Sequence, residues 1–331
     1  MKIKSMLSGG CCVATAVIGV SASVNAIAAE SAASYPSRPI RMLVPNASGS
    51  SVDTLGRIMG NKMTDVIGQQ VVIDNRAGAG GIVGMEIAKN AAPDGYTLIS
   101  ATTAASTVAV LLQKNPSFDP LKDFDYVSQF AVTANILVVH PSQPAKSVKE
   151  LIATANAKQG QLNMASAGSG SQSHLSGAYF MSVANMQSVH VPYKGGGPSV
   201  TSVIAGESQW TLTPAPAVMT HVNGGKVRAI GHSLPNRSAL MGAIPPIAET
   251  IPGFDYSGWQ GFFVPKGTPR PIIERLRAAV IKTAHLPEVK NLLAAQATEV
   301  VTGTPEEFRK VVQDSLVKNA KVIKAIGLKV E

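Results

Sequence analysis

The sequence predicts an α/β protein of two lobes, each a sheet flanked by helices. Three observations predict it. Short apolar runs alternate with stretches of helical spacing along most of the 331 residues. Two loops, Val44-Pro-Asn-Ala-Ser-Gly-Ser-Ser-Val-Asp53 and Ala165-Ser-Ala-Gly-Ser-Gly-Ser-Gln-Ser-His174, each follow an apolar run and lead into a helical pattern. Two further apolar segments, 136–141 and 259–265, resemble each other and read as the chain crossing from one lobe to the other and returning.

In order, residues 40–44 read as the first strand. Over 53–66, Leu55, Ile58, Met59, Met63 and Val66 recur at helical spacing. Residues 71–73 form a second strand, followed by the glycine loop 77–84 and a helix through Ala88. Pro93-Asp94-Gly95 is a turn, and 96–100 is a third strand ending at Ala101-Thr102-Thr103. This βαβαβ order implies a parallel sheet with right-handed crossovers. Runs at 126–130 and 136–140 read as one long crossing segment. Ser147-Val-Lys-Glu150 is a capping box.

The plan then repeats. Strands are expected at 162–165, 189–191, 210–213 and 227–231, with Pro198 suited to a first helical turn. After the return crossing the chain reads as helical. Thr304-Pro-Glu-Glu307 supplies an N-cap, a first-turn proline and a capping-box Glu. Val311, Val312, Leu316 and Val317 are the expected buried stripe. The crossings divide the chain into a leader at 1–29, a discontinuous first lobe at 36–133 plus 258–331, and a second lobe at 134–257.

The N-terminus reads as a secretory signal. Lys2 and Lys4 precede an uncharged stretch, and Ala26-Ile27-Ala28 fits an A-x-A cleavage site. Cleavage implies a periplasmic protein. Cys11 and Cys12, the only cysteines, lie inside that segment, so the mature chain has no disulfide, catalytic thiol or Cys-ligated metal. The formal charge is +9, but the basic residues are dispersed and aromatics make up only 5%. Nucleic-acid binding calls for a clustered basic face with stacking aromatics, so that partner class is not expected. The field instead favours small anions. No further segment suits a membrane span, and a monomer without cofactor is expected.

The two Gly/Ser loops carry no Lys or Arg. A strand, a small-residue loop and a helix N-terminus together aim backbone N–H groups and the positive end of a helix dipole into one space. Two such seats suggest two lobes gripping one anionic ligand.

With both loops in view, the chain from about Tyr35 onward resembles the periplasmic receptors of tripartite tricarboxylate transporters, the Bug-type solute-binding proteins. The motifs that carry the resemblance are the Tyr-Pro-Ser-Arg-Pro-Ile start, the first loop ending in Asp53, and Asn75-Arg-Ala-Gly-Ala-Gly-Gly81. Further on come Pro93-Asp-Gly-Tyr-Thr97, Gly168-Ser-Gly-Ser-Gln-Ser-His-Leu175, His190-Val-Pro-Tyr-Lys-Gly195 and Phe263-Val-Pro-Lys-Gly-Thr-Pro269. The resemblance implies a periplasmic-binding-protein fold that closes like a flytrap on a small organic carboxylate, and delivery of that ligand to a membrane permease. It implies ligand contacts from Asn46, Ala47, Ser48, Gly49, Ser50 and Asp53 in the first loop. In the second loop it implies Gly168, Ser169, Gly170, Ser171 and His174, and at two strand ends Thr102, Thr103 and Pro214.

The chain departs from the family pattern twice. Ala47-Ser-Gly-Ser50 replaces the usual Pro-Gly-Gly, and Thr211-Leu-Thr-Pro214 replaces a segment that ends in a carboxylate. An amino-acid ligand needs a partner for its ammonium, so a plain carboxylate is favoured.

Single residues carry competing readings. Asp53 is either a helix cap or a ligand contact. His174, near a helix N-terminus, is expected neutral, and either braces the loop or touches ligand. Gly78-Ala-Gly80 with Gly84 departs from a dinucleotide fingerprint in spacing, and reads as a tight turn for close helix–sheet packing. Trp210, Trp259 and Tyr193 read as core or hinge packing. The histidines have no metal-site spacing. Alternative functions are a secreted hydrolase of carboxylate esters and a ligand-sensing receptor for a membrane signalling protein. Neither a G-x-S-x-G elbow nor a nucleophile–base spacing supports the hydrolase.

Overall fold

The computed structural model describes residues 34–158 and 160–328, so the predicted leader and both cysteines lie outside the described residues. The chain begins with β1 (Ile40–Val44), α1 (Ser51–Ile67), β2 (Val71–Asn75), α2 (Ile82–Lys89) and β3 (Thr97–Thr102). Leu55, Met59, Met63 and Ile67 recur every four residues along α1 and are all buried. A π-helical turn at Ala104–Val108 runs into the short α3 (Ala109–Leu111). Next come β4 (Phe124–Thr133) and β5 (Asn135–Val139), separated by Ala134 alone.

The second half of the alternation is α4 (Val148–Ala157), β6 (Asn163–Ser166), α5 (Gln172–Val183), β7 (Val189–Pro192), α6 (Gly196–Ile204), β8 (Trp210–Pro214), α7 (Ala215–Asn223) and β9 (Arg228–His232). The chain ends with β10 (Gly258–Pro265), α8 (Arg270–Ala284), α9 (Pro287–Ala295), β11 (Thr298–Val300) and α10 (Pro305–Ala325).

The strands form two sheets. The first has the order β11-β4-β10-β3-β1-β2 and the second β7-β6-β8-β5-β9. Parallel pairing holds where the βαβ pattern predicts it, β1 with β2 and β3, and β6 with β7 and β8. The long strands β4 and β10 make the first sheet mixed: β10 runs antiparallel to both β3 and β4, with Gly258 opposite Thr133. In the second sheet β5 is antiparallel to β8 and β9. The chain therefore changes sheets at Ala134 and changes back in the stretch between His232 and Gly258.

Each sheet is covered by apolar clusters on both faces. Leu55, Met59, Leu276 and Val280 of α1 and α8 pack on one face of the first sheet, and Met85, Phe263, Phe308 and Val312 on the other. Leu151, Leu175, Phe180 and Trp210 cover one face of the second, and Val200, Val203 and Val218 the other.

The expected stripe on α10 is corrected in two ways. Val317 is 54% exposed, whereas Phe308, Val312, Asn319, Val322 and Ile323 are the buried residues. Val317 lies five residues from Val312, which at 100° per residue turns it to the far side of the helix. Moreover, Phe308 and Val312 pack with the first sheet's residues, whereas Val322 and Ile323 join the cluster of Phe180 and Trp210. The C-terminal helix thus bears on both cores. β11 was not anticipated, because its three residues carry no alternation long enough to read.

Candidate functional site

The site is built on the two strand–loop–helix units. In the first, Ser50 is the N-cap of α1, its Oγ accepting from Asp53 N. Asp53 is therefore the third helical residue and not the cap. Its carboxylate, 3% exposed, accepts from the Gly49 N–H at 2.8 Å and from Asn75 Nδ2 at 3.0 Å, and pairs with Arg57 at 2.9 Å. Burial alone would raise its pKa. The hydrogen bonds from Arg57, Gly49 and Asn75 outweigh burial and hold it below the usual carboxylate value. Asn75 also donates to the Asn46 carbonyl at 3.1 Å, so the Asn-Arg-Ala-Gly segment fastens the first loop.

In the second unit Ser171 caps α5, its Oγ accepting from His174 N. His174 Nδ1 accepts from the Gly170 N–H at 3.1 Å, so this nitrogen carries no proton. Its ring stacks on His190 at a centroid distance of 3.9 Å, and His190 Nε2 meets Ser166 Oγ at 2.7 Å. Desolvation, then the neighbouring His190, pulls the His174 pKa down to about 4, and desolvation also lowers that of His190. The Ala167 N–H donates to Ser173 Oγ and the Gly168 N–H to Ser166 Oγ.

The two loops face one another across a cleft of about 450 Å³. Of the predicted site residues, Asn46, Ala47 and Ser50 line it from the first loop, and Gly168, Ser169 and Ser171 from the second. Thr102, Thr103 and Pro214 line it from strand ends. Ser48, Gly49, Asp53, Gly170 and His174 are not among the lining residues. The last four serve the loops themselves, because the N–H groups of Gly49 and Gly170 are committed to Asp53 and His174. The unpaired donors include those at the helix starts. Ser51 and Val52 of α1, and Gln172 and Ser173 of α5, all line the cleft, and their N–H groups have no acceptor among the described residues.

Several lining residues were not foreseen. Residues 77–81 form one wall, and Gly84 lies so close to Pro45 that a Cβ there would sit 2.7 Å from its Cα. The glycine loop is thus a close-packing device and part of the cleft. Trp259, 6% exposed, packs on Phe308 and borders the same space. Thr133, Asn135, Thr213 and Gln260 line the end where the chain changes sheets. Polar residues inside apolar strands, Asn135 opening β5 and Gln260 within β10, were the available signal. Among the described residues no Asp or Glu lines the cleft, and the charged residue that lines it is Lys194, which is exposed and in no ion pair.

The model of the tripartite tricarboxylate transporter family receptor, TctC, matches residues 55–328. Protein BugT of Bordetella pertussis is 34% identical over 319 residues, covering 96% of this chain and 98% of the relative. A protein from the tcbD–tcbE intergenic region of Pseudomonas sp. strain P51 is 35% identical over 274 residues, covering 82% and 81%. A solved periplasmic transporter shares 34% identity at a TM-score of 0.86, covering 90% of this chain and all of its own. An R. palustris protein solved with adipate shares 28% identity at a TM-score of 0.86, covering 88% and 98%. MatC from Rhodopseudomonas palustris, solved with bound malate, shares 28% identity at a TM-score of 0.82, covering 87% and 100%.

Proposed function

The chain belongs to the tripartite tricarboxylate transporter receptor family, periplasmic solute-binding proteins and not enzymes, and from that premise we propose that it captures a small organic carboxylate in this cleft and delivers it to a membrane permease. One observation carries the reading. Two helix N-termini, one beside each sheet, open on one cleft with unpaired N–H donors, and no acidic residue lines it among the described residues. Backbone donors and helix dipoles replace the hydration of a carboxylate without a counter-charge that would also attract cations. The adipate and malate held by two relatives support the same ligand class. Export through a cleaved leader, which delivery to a permease from the periplasm requires, rests on the Ala26-Ile27-Ala28 pattern.

Calorimetry at neutral pH with a panel of mono- and dicarboxylates tests this. At least one acid is expected to bind, and its methyl ester to bind at least about tenfold more weakly, since hydrogen bonds to a charged acceptor contribute roughly 1.5–3 kcal/mol each. Equal binding of acid and ester sinks the anion-seat assignment.

A further inference from the structure

Two side-chain amides at the inner end of the cleft bury polar atoms that have no hydrogen-bond partner among the described residues. Asn135 is 1% exposed. Its Nδ2 donates to the Tyr256 carbonyl across 121 residues of chain. Because a carbonyl can only accept, the nitrogen must face Tyr256, and the orientation of the amide is fixed. Oδ1 therefore points the other way, is buried, and has no hydrogen-bond partner. Gln172, at the first position of α5, also buries both its amide oxygen and its amide nitrogen without a partner. It reaches toward the other lobe, since a Cβ on Gly258 would lie 3.5 Å from its Nε2 and 3.8 Å from Thr103 Oγ1. Gly258 is paired with Thr133, two residues before Asn135, and both amides line the same cleft.

A buried acceptor held rigidly by its own amide and left unpaired is costly, and the cost is removed when a ligand brings a donor. We propose, building on the carboxylate reading above, that the inner end of the cleft is a hydroxyl subsite and that the receptor selects hydroxycarboxylates. The ligand hydroxyl donates to Asn135 Oδ1 and accepts from the Gln172 amide nitrogen. An ammonium fits worse than a hydroxyl. It would need an anionic partner, none lines the cleft, and Lys194 borders the same space. The geometry also assigns the two residues different roles. Asn135 is fixed and sets the requirement for a donor, whereas Gln172 is free to turn its amide to suit the rest of the ligand.

The test is calorimetry on matched pairs that differ only by the hydroxyl: malate against succinate, lactate against propionate, 3-hydroxybutyrate against butyrate. The hydroxy acid is expected to bind at least about tenfold more tightly in at least one pair, and Gln172→Leu to reduce that preference while leaving the melting temperature within a few degrees. Asn135→Asp is the second variant. It keeps an acceptor but adds a charge, so it should weaken every carboxylate. Because Asn135 also holds the Tyr256 carbonyl, its folding is checked by circular dichroism. Carboxylates that bind with no preference for the hydroxy member of any pair overturn this subsite and leave the receptor reading intact. If neither these probes nor the broader acid panel binds, both readings fall.

Discussion

Gly84→Ala is the substitution whose consequence follows most directly from the packing around the first loop. A Cβ at this position would lie 2.7 Å from both Cα and Cβ of Pro45 and 2.8 Å from the carbonyl oxygen of Arg76. Two of these three neighbours are main-chain atoms, so no rotamer change relieves the contact. Restoring an ordinary carbon–carbon separation of about 3.5 Å requires a movement of about 0.8 Å between α2 and the start of the first loop. If that movement passes along the chain to Ser51 and Val52, a donor placed about 2.9 Å from a ligand oxygen is carried to about 3.7 Å, beyond hydrogen-bonding range. Losing one hydrogen bond to a charged acceptor costs roughly 1.5–3 kcal/mol, or about tenfold to a hundredfold in Kd.

The effect on folding should be smaller. Overpacking costs about 1–3 kcal/mol, and the higher helix propensity of Ala offsets about 1 kcal/mol of that. A net loss near 1 kcal/mol corresponds to a few degrees in Tm. The assay is calorimetric titration with the tightest acid of the panel, paired with thermal unfolding. Gly197→Ala is the control, because a Cβ there meets nothing within 4 Å. A Gly84→Ala protein with unchanged Kd and unchanged Tm would refute the claim that this close approach holds the first loop in place.

Ser171→Ala removes the N-cap of α5 and is expected to lower unfolding free energy by about 1 kcal/mol in urea titration. Its effect on affinity should be smaller than that of Gly84→Ala, because the Ser171 hydroxyl already serves the His174 N–H. The histidine pair predicts a pH dependence. His174 has a folded pKa of about 4, below its unfolded value of about 6.5, so its contribution is complete above about pH 6.5 and is lost as pH falls toward 4. His190, also lowered by desolvation, acts in the same direction. The loss for His174 amounts to about 2–3 kcal/mol at most. It should show as a steeper decline in urea stability between pH 6.5 and 4.5 for the wild type than for His174→Gln. Parallel profiles would remove His174 as the cause.

The alternation of strands and helices was legible because each element carries its own period, and α1 shows why: Leu55, Met59 and Met63 repeat at the spacing that buries one face. The two Gly/Ser loops were legible because a strand, a small-residue loop and a helix start are written in local sequence, whereas the individual contact residues, Thr102, Thr103 and Pro214 among them, were expected from the family resemblance; nine of those expected residues line the cleft. Asn135 and Gln260 could be recognised as polar residues in apolar strands but not placed. Their partners, Tyr256 for the first and Val52 and Ser100 for the second, are more than 100 residues away in chain. The double attachment of α10 was illegible for the same reason. Its stripe is continuous, and nothing in the spacing of Val312 and Val322 says that they meet different cores. Val317 is apolar, but its angular position on α10 turns it to solvent.

The two loops follow one rule with different chemistry, and this explains why their most conspicuous residues do not face the cleft. Each unit reads Gly-Ser-x-x-X, as Gly49-Ser-Ser-Val-Asp53 and Gly170-Ser-Gln-Ser-His174. In each, the glycine adopts a positive φ, 79° and 73°, and the serine caps the helix. The third helical side chain turns back to accept the glycine N–H. That closure draws one donor inward and fixes the loop, so the first two helical N–H groups are the ones left facing the cleft. An ionised carboxylate serves in the first unit, where Arg57 compensates its charge and Asn75 donates to it. Among the described residues no such cation is paired with the second. A neutral imidazole acceptor does the same work there without placing an unbalanced negative charge beside the space where an anion would sit. The lowered pKa of His174 keeps this acceptor nitrogen free of a proton at neutral pH, and the bond from the Gly170 N–H holds the loop.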